Sequence, residues 1–172
     1  MPDPLIRPLV ESDAPALVHL LVETVASGGS VSFMHPLAKE RALSFWKAAL
    51  ASAGRGERVI LGALDGEALV GTVTLVLALP ENQPHRAEIA KMMTATAHRG
   101  RGIARALLIE AERLARAQGR TMLVLDTASE EGAGGLYEKQ GFVFCGEIPD
   151  FALKPHGGLT GTRLYYKRLP PG

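Results

Sequence analysis

The sequence predicts an α/β sandwich, a mixed sheet with helices packed against it, and three observations carry that prediction. Two apolar, β-branched runs flank Asp65-Gly66, which marks a β-hairpin because glycine tolerates the positive φ of a tight turn. From Gly102 onward, Ile103, Leu107, Ala111 and Leu114 fall on one helical stripe that Gly119 closes. The strand-like "TMLVLDT" follows at once, so this helix crosses between two neighbouring strands.

The elements follow in chain order. Residues 5–9 read as a short strand closed by Pro8. Ser12 or Asp13 can cap a first helix, in which Leu17, Leu20, Leu21 and Val25 keep helical spacing. "SGGSVSFMHP" is a loop by its glycine and proline content. A second helix covers residues 38–52, with Leu43, Trp46, Ala49 and Leu50 on one face and Trp46 in the core. After the hairpin, "RAEIAKMMTAT" reads as a further strand. "TMLVLDT" is a continuous apolar run, predicted to be a central strand covered on both faces. A short helix over residues 130–140, the strand "GFVFCGEI" and a last strand "TRLYYKRL" complete the chain.

Composition narrows the function classes. The 172 residues have the length of one domain, expected to span 1–172, and contain no repeat or linker. Hydrophobic residues at 47% and charged ones at 22% are ordinary for a soluble globular chain. A net charge of +1 gives no general pull toward nucleic acid or an anionic membrane, so neither is expected as a partner. A single cysteine, Cys145, excludes an intrachain disulfide and a cysteine-cluster metal site, and no metal is expected. The start lacks the pattern of a signal peptide, and the longest apolar run, residues 70–79, is too short to span a bilayer. The expected location is the cytoplasm.

One stretch points to chemistry. "AHRGRGIARALL", residues 97–108, sets Gly100 and Gly102 among arginines at the mouth of a helix. The first-turn amides of such a helix are unpaired, and the aligned peptide dipoles add roughly half a positive charge there. A phosphate or pyrophosphate suits that environment. The spacing is not a P-loop, because no Gly-Lys-Ser/Thr follows, and the third glycine of a dinucleotide fingerprint is replaced by Arg105. An RNA-binding arginine-glycine patch and a plain packing turn are the other readings of the stretch alone.

Its surroundings decide among them. Arg99-Gly100-Arg101-Gly102-Ile103-Ala104 fills the pattern Arg/Gln-x-x-Gly-x-Gly/Ala, and downstream stand Ala133, Leu136, Tyr137, Gly141 and Phe142, spaced as Ala-x-x-Leu-Tyr-x-x-x-Gly-Phe. In these two motifs the chain resembles the GNAT N-acetyltransferase superfamily, and the resemblance runs from "LIRPLVESDAPAL" to "TRLYYKRL". "SVSFMHPL", "RAEIAKMM", "LVLDT" and "ALKPHGGLTGTRLYYK" resemble the subgroup that includes the tabtoxin resistance protein. Two positions depart from the family pattern: Glu130 stands where Asn is frequent, and "TAT" at 94–96 replaces Val-x-Pro.

The resemblance implies a mixed, mostly antiparallel sheet flanked by helices on both faces, and transfer of an acetyl group from acetyl-CoA to an amine. It implies that the backbone from Arg101 to Ala104, through Gly102 and Ile103, holds the pyrophosphate, with Arg99 and Gly100 shaping the mouth. Met92, Met93 and Thr94 would pair with the pantetheine arm, with Ala133 beside it, and Tyr137 would protonate the departing thiolate. Glu88 and Asp126 lie on the strands that should flank the acetyl group, where an acid in an otherwise apolar strand asks for a reason. They are candidates for orienting or deprotonating the amine; the plainer alternatives are that Asp126 caps the next turn and Glu88 pairs with Lys91 or Arg86. Phe33 and Phe151 would line the acceptor side. The expected substrate is a small-molecule amine, amino-acid-like or antibiotic-like, and the expected state is a monomer or homodimer. A protein N-terminal or lysine acetyltransferase and a non-catalytic acyl-CoA sensor on the same fold are the rival readings.

Overall fold

The computed structural model describes residues 2–171 of the chain. Strand β1 (Leu5–Pro8) and a short turn lead into helix α1 (Ala14–Ala26). Asp13 stands at the boundary of α1, but its side chain does not cap the helix. Its carboxylate instead accepts two bonds from the Arg7 guanidinium, at 2.8 and 2.9 Å, and one from the Val10 amide at 2.8 Å. These contacts fix the angle between β1 and α1. Helix α2 (Lys39–Gly54) follows the loop, and then β2 (Arg58–Asp65) and β3 (Ala68–Val76) form the hairpin. Its central pair is Gly66-Glu67, one residue later than the dipeptide suggests, and Gly66 has the required positive φ of 62°. Strand β4 (Arg86–Thr94) runs to the glycine loop, and α3 (Ile103–Ala117) carries the chain to β5 (Met122–Ala128). Helix α4 (Gly134–Lys139), β6 (Val143–Leu153) and β7 (Leu159–Arg168) finish the fold.

The seven strands form one sheet in the order β1-β2-β3-β4-β5-β7-β6. All neighbours are antiparallel except β4 and β5, which are parallel because α3 crosses between them. Each face has its own core. On one, Ile103, Leu107, Leu108 and Ala111 of α3 pack on Leu61, Val73, Leu75, Leu123 and Leu125. On the other, Leu17, Leu20 and Leu21 of α1 and Trp46 of α2 pack on Ile60 and Met93. The sandwich is therefore two-sided, and Trp46 is fully buried within it. Gly71 lets α3 approach the sheet: a Cβ there would lie 2.7 Å from Ile103 Cγ2.

Three expectations are corrected. Strand β5 is not covered on both faces: Leu123 and Leu125 are buried, whereas Val124 is half-buried and Asp126 exposed, because the second face opens onto a cleft. The helix expected over 130–140 shrinks to Gly134–Lys139, since Gly132 before it takes a left-handed φ of 67° that a right-handed helix does not continue. Strand β6 reaches Leu153 instead of ending at Ile148. It is an edge strand, so the missing N–H of Pro149 leaves no ladder bond unmade, and register shifts absorb the irregularity.

Candidate active site

The parallel pairing of β4 with β5 is short. Arg86, Ala87 and Glu88 oppose Met122, Leu123 and Val124, and beyond that the two strands part. A bulge in β4 accompanies the parting. Thr72 of β3 opposes Met93 while Thr74 opposes Ala90, which sets Lys91 and Met92 together against a single residue of β3, and Lys91 takes a φ of 53°. The separation opens a cleft of about 1020 Å³ through the middle of the sheet. The edge of β4 from Ile89 to Thr94 faces this cleft without a neighbouring strand.

At one end lies the glycine loop. Gly100 and Gly102 are left-handed, with φ of 76° and 78°, and a Cβ on either would meet nothing within 4 Å. Backbone conformation rather than crowding therefore asks for glycine here. Gly102 is the residue before α3, and the amides of Ile103, Ala104 and Arg105 have no backbone acceptor among the described residues. The start of the loop is held by Glu23 of α1, whose carboxylate accepts the Thr96 amide at 2.8 Å and hydroxyl at 2.6 Å. Those two bonds hold the Glu23 carboxyl below its ordinary pKa. Arg101 does not line the cleft; its guanidinium turns to Asp65, 3.4 Å away.

At the other end, side chains arrive from both faces of the sheet. Tyr137 of α4 comes from the α3 side, is 5% exposed, and packs against Phe142 and Tyr165 at centroid distances of 5.8 and 5.9 Å. Burial first, then the charges of Glu131 and Asp126, push its pKa up to about 12. Glu88 and Asp126 come from the opposite face. Glu88 pairs in register with Val124, so the two acids stand one pleat apart on the same side. Glu88 is in an ion pair with Arg86 at 2.8 Å, one of the partners the sequence suggests. Asp126 caps no turn; it accepts a bond from the Thr162 hydroxyl at 2.7 Å and has no cationic partner among the described residues. Phe33 packs edge-on to Phe45 at 5.2 Å, and Phe151 stands on β6 at the rim, half exposed. The rim is bridged: the Ser30 amide bonds to the Glu131 carboxylate, the His35 amide to the Pro155 carbonyl at 2.9 Å, and His156 Nε2 lies 2.9 Å from the Ala26 carbonyl.

The fold thus gathers nearly every residue singled out from sequence around one cleft. Met92, Met93 and Thr94 line its β4 side, Arg99, Gly100, Gly102, Ile103 and Ala104 its loop end, and Ala133 and Tyr137 its α4 side. Glu88, Asp126, Phe33 and Phe151 line the remainder, and only Arg101 turns away. Sequence reasoning missed Lys91, Ser32, Glu131 and Thr162. A charged residue inside "AEIAKMMT" was a usable signal for Lys91; the others stand in loops or in an unremarkable strand.

A pyrophosphate fits the open amides of the loop, and an extended amide-bearing arm fits the unpaired edge of β4 as an added strand would. A mixed sheet parted between two parallel strands, with open loop amides at one end and two acids at the other, places the chain in the acyl-CoA N-acyltransferase fold class. The chain belongs to the Acetyltransferase (GNAT) family, whose model matches residues 23–142, and acetyl-CoA is that family's cosubstrate. It is similar to N-acetyltransferase 8B of Rattus norvegicus, 37% identical over 107 residues, which are 59% of this chain and 47% of that one. The match thus spans about half the length of that curated relative. Among solved structures, it is similar to the ribosomal-protein-alanine N-acetyltransferase of Brucella melitensis, with TM-score 0.84 and 26% identity over 96% of this chain and 99% of the other. A phosphinothricin acetyltransferase of Sinorhizobium meliloti in complex with AcCoA gives TM-score 0.84 at 20% identity, covering 99% and 91%, a likeness of fold. No helix among the described residues is long and apolar enough to cross a membrane.

Proposed function

We propose that the chain, as a single domain over 1–172, transfers the acetyl group of acetyl-CoA to the amine of a small molecule. One observation carries the reading: the same cleft joins open loop amides, an unpaired strand edge, a buried tyrosine from one face and, from the other, a carboxylate in no ion pair among the described residues. The amides of Ile103 and Ala104 hold the pyrophosphate, while Met92, Met93 and Thr94 align the pantetheine arm and polarise the thioester carbonyl through a backbone N–H. Asp126 draws in the acceptor's ammonium and accepts its proton. Glu88, held by Arg86, adds negative charge on the same side. The amine nitrogen bonds to the carbonyl carbon, the carbon–sulfur bond breaks, and Tyr137 gives its proton to the departing sulfur.

The bridged rim favours a small acceptor, because three loops tie across the end where a polypeptide would have to enter. The narrower likeness of "SVSFMHPL" and "ALKPHGGLTGTRLYYK" points the same way, to an amino-acid-like or antibiotic-like amine. A second reading, acetylation of a protein N-terminus, draws on the similarity to the Brucella protein. The test is thiol release from acetyl-CoA across a panel of small amines and short peptides, with Tyr137→Phe as control. Turnover on small amines that collapses in the variant supports the proposal. Turnover on peptides alone selects the second reading, and CoA binding without any transfer leaves a sensor.

A further inference from the structure

The acceptor end holds one positive side chain that the scheme above does not use. Lys91 stands at the β4 bulge with φ 53°, and Ser32, in the loop after α1, has φ 76°. Such backbone is unfavourable for a residue with a Cβ. These two left-handed residues meet at one bond, Lys91 Nζ donating to Ser32 Oγ at 3.0 Å, on a wall of the cleft. The ammonium also lies 5.8 Å from the centre of the Phe45 ring. Burial pushes its pKa down and Arg58 adds to that, while the charge of Asp126 opposes it.

No carboxylate answers this cation among the described residues. Asp126 is close enough to be felt but forms no ion pair with it, Glu88 is taken by Arg86, and Glu131 by the Ser30 amide. A partly dehydrated cation whose one hydrogen bond goes to a neutral hydroxyl is better held when a ligand carboxylate completes it. Across the parted strands stands Asp126, whose charge Lys91 feels without forming an ion pair with it and whose own hydrogen bond comes from the Thr162 hydroxyl. A cleft with an ammonium and a carboxylate that feel each other but form no ion pair matches a ligand carrying the reverse pair.

We propose that Lys91 is a specificity-determining residue that binds a carboxylate carried by the acceptor beside its amine, so that the acceptors are zwitterions with the amine toward Asp126. The inference rests on the acetyl-transfer reading of the same cleft. If Lys91 merely pinned the Ser32 loop, its loss would weaken all acceptors alike.

The experiment compares amino acids with their carboxamides and decarboxylated amines, leucine, glutamate and tryptophan among them, for wild type, K91M and K91R. The readout is kcat/KM from thiol release, taken as the acid-to-amide ratio in each variant divided by that in wild type, which cancels differences in amine basicity. K91M should lower this ratio about 10-fold or more, the scale of one lost charged hydrogen bond, and K91R should restore most of it. Equal losses on acids and amides, or a wild type indifferent to the carboxylate, overturn the inference and leave acetyl transfer standing. Saturation-transfer NMR of the same compounds with CoA-loaded protein needs no turnover. Acids that bind wild type but not K91M, with no transfer to any amine, keep the anion site and sink the acetyl-transfer reading; binding indifferent to Lys91 overturns the inference.

Discussion

As the proposed proton donor, Tyr137 would face a thermodynamic difficulty that its surroundings both create and ease. From ordinary values, a tyrosine near 10 protonating a thiolate near 8.5 is uphill by about 2 kcal/mol. Burial raises the tyrosine to about 12, which would widen the gap. A sulfur departing beside this buried hydroxyl would be desolvated as well, which raises a thiol's pKa, so part of the widening would cancel. What burial secures is that Tyr137 keeps its proton throughout the working pH range. Tyr137→Phe should therefore lower kcat by about 10²- to 10³-fold with little change in the KM for acetyl-CoA, measured by thiol release. Equal activity in the variant removes Tyr137 from the proton path. The residue was legible in the sequence because it sits in a motif. Asp126 was legible only as an anomaly, and what distinguishes it from Glu88, the absence of an ion pair among the described residues, needed coordinates.

At the scale of elements, the site depends on where α3 begins. Gly71 brings the helix onto β3, with Ile103 Cγ2 2.7 Å and Leu107 Cδ1 3.2 Å from where a Cβ would stand. Gly71→Ala should destabilise the protein by about 1–3 kcal/mol in denaturant titration, and it should raise the KM for acetyl-CoA because the loop amides move with the helix. Glu23 ties α1 to the same loop through Thr96. Its carboxyl is lowered in the folded state, so its contribution to stability is present above the ordinary value of 4.5 and lost as pH falls through the folded value. Glu23→Gln should be less stable than wild type at pH 7, and the difference should shrink toward pH 3 in parallel urea titrations. A gap independent of pH would assign the effect to packing. The helices and strands themselves were legible from periodicity and turn residues. The bulge at Lys91 was not: alternation from the buried Ala87 and Ile89 would turn Lys91 inward, a break in pattern that does not by itself say that an extra residue sits there.

The whole molecule is two half-sheets joined by a short seam, with β1 to β4 on one side and β5 to β7 on the other. Three register pairs, the crossover helix α3 and the bonds across the rim hold them together. Sequence could show that the two strands are neighbours, since a helix connects them, but not that they part after Glu88; divergence is a property of the pairing, not of either strand. The consequence is that a ligand lying along the seam contacts both halves and supplies the contacts that the sheet omits. Binding of CoA to the folded protein alone should stabilise it by about 2.7 kcal/mol at 100 times Kd. For a chain of this length that is a rise in Tm of roughly 5–10 °C, read by scanning calorimetry. ADP and pantetheine, each touching only part of the seam or loop, should give smaller shifts. Gly102→Ala adds a Cβ that meets nothing, so its whole effect is on a left-handed backbone with φ 78° at the start of α3. It should therefore reduce the CoA-induced shift more than it reduces the Tm of the free protein. An equal CoA shift in variant and wild type would place the pyrophosphate away from this loop.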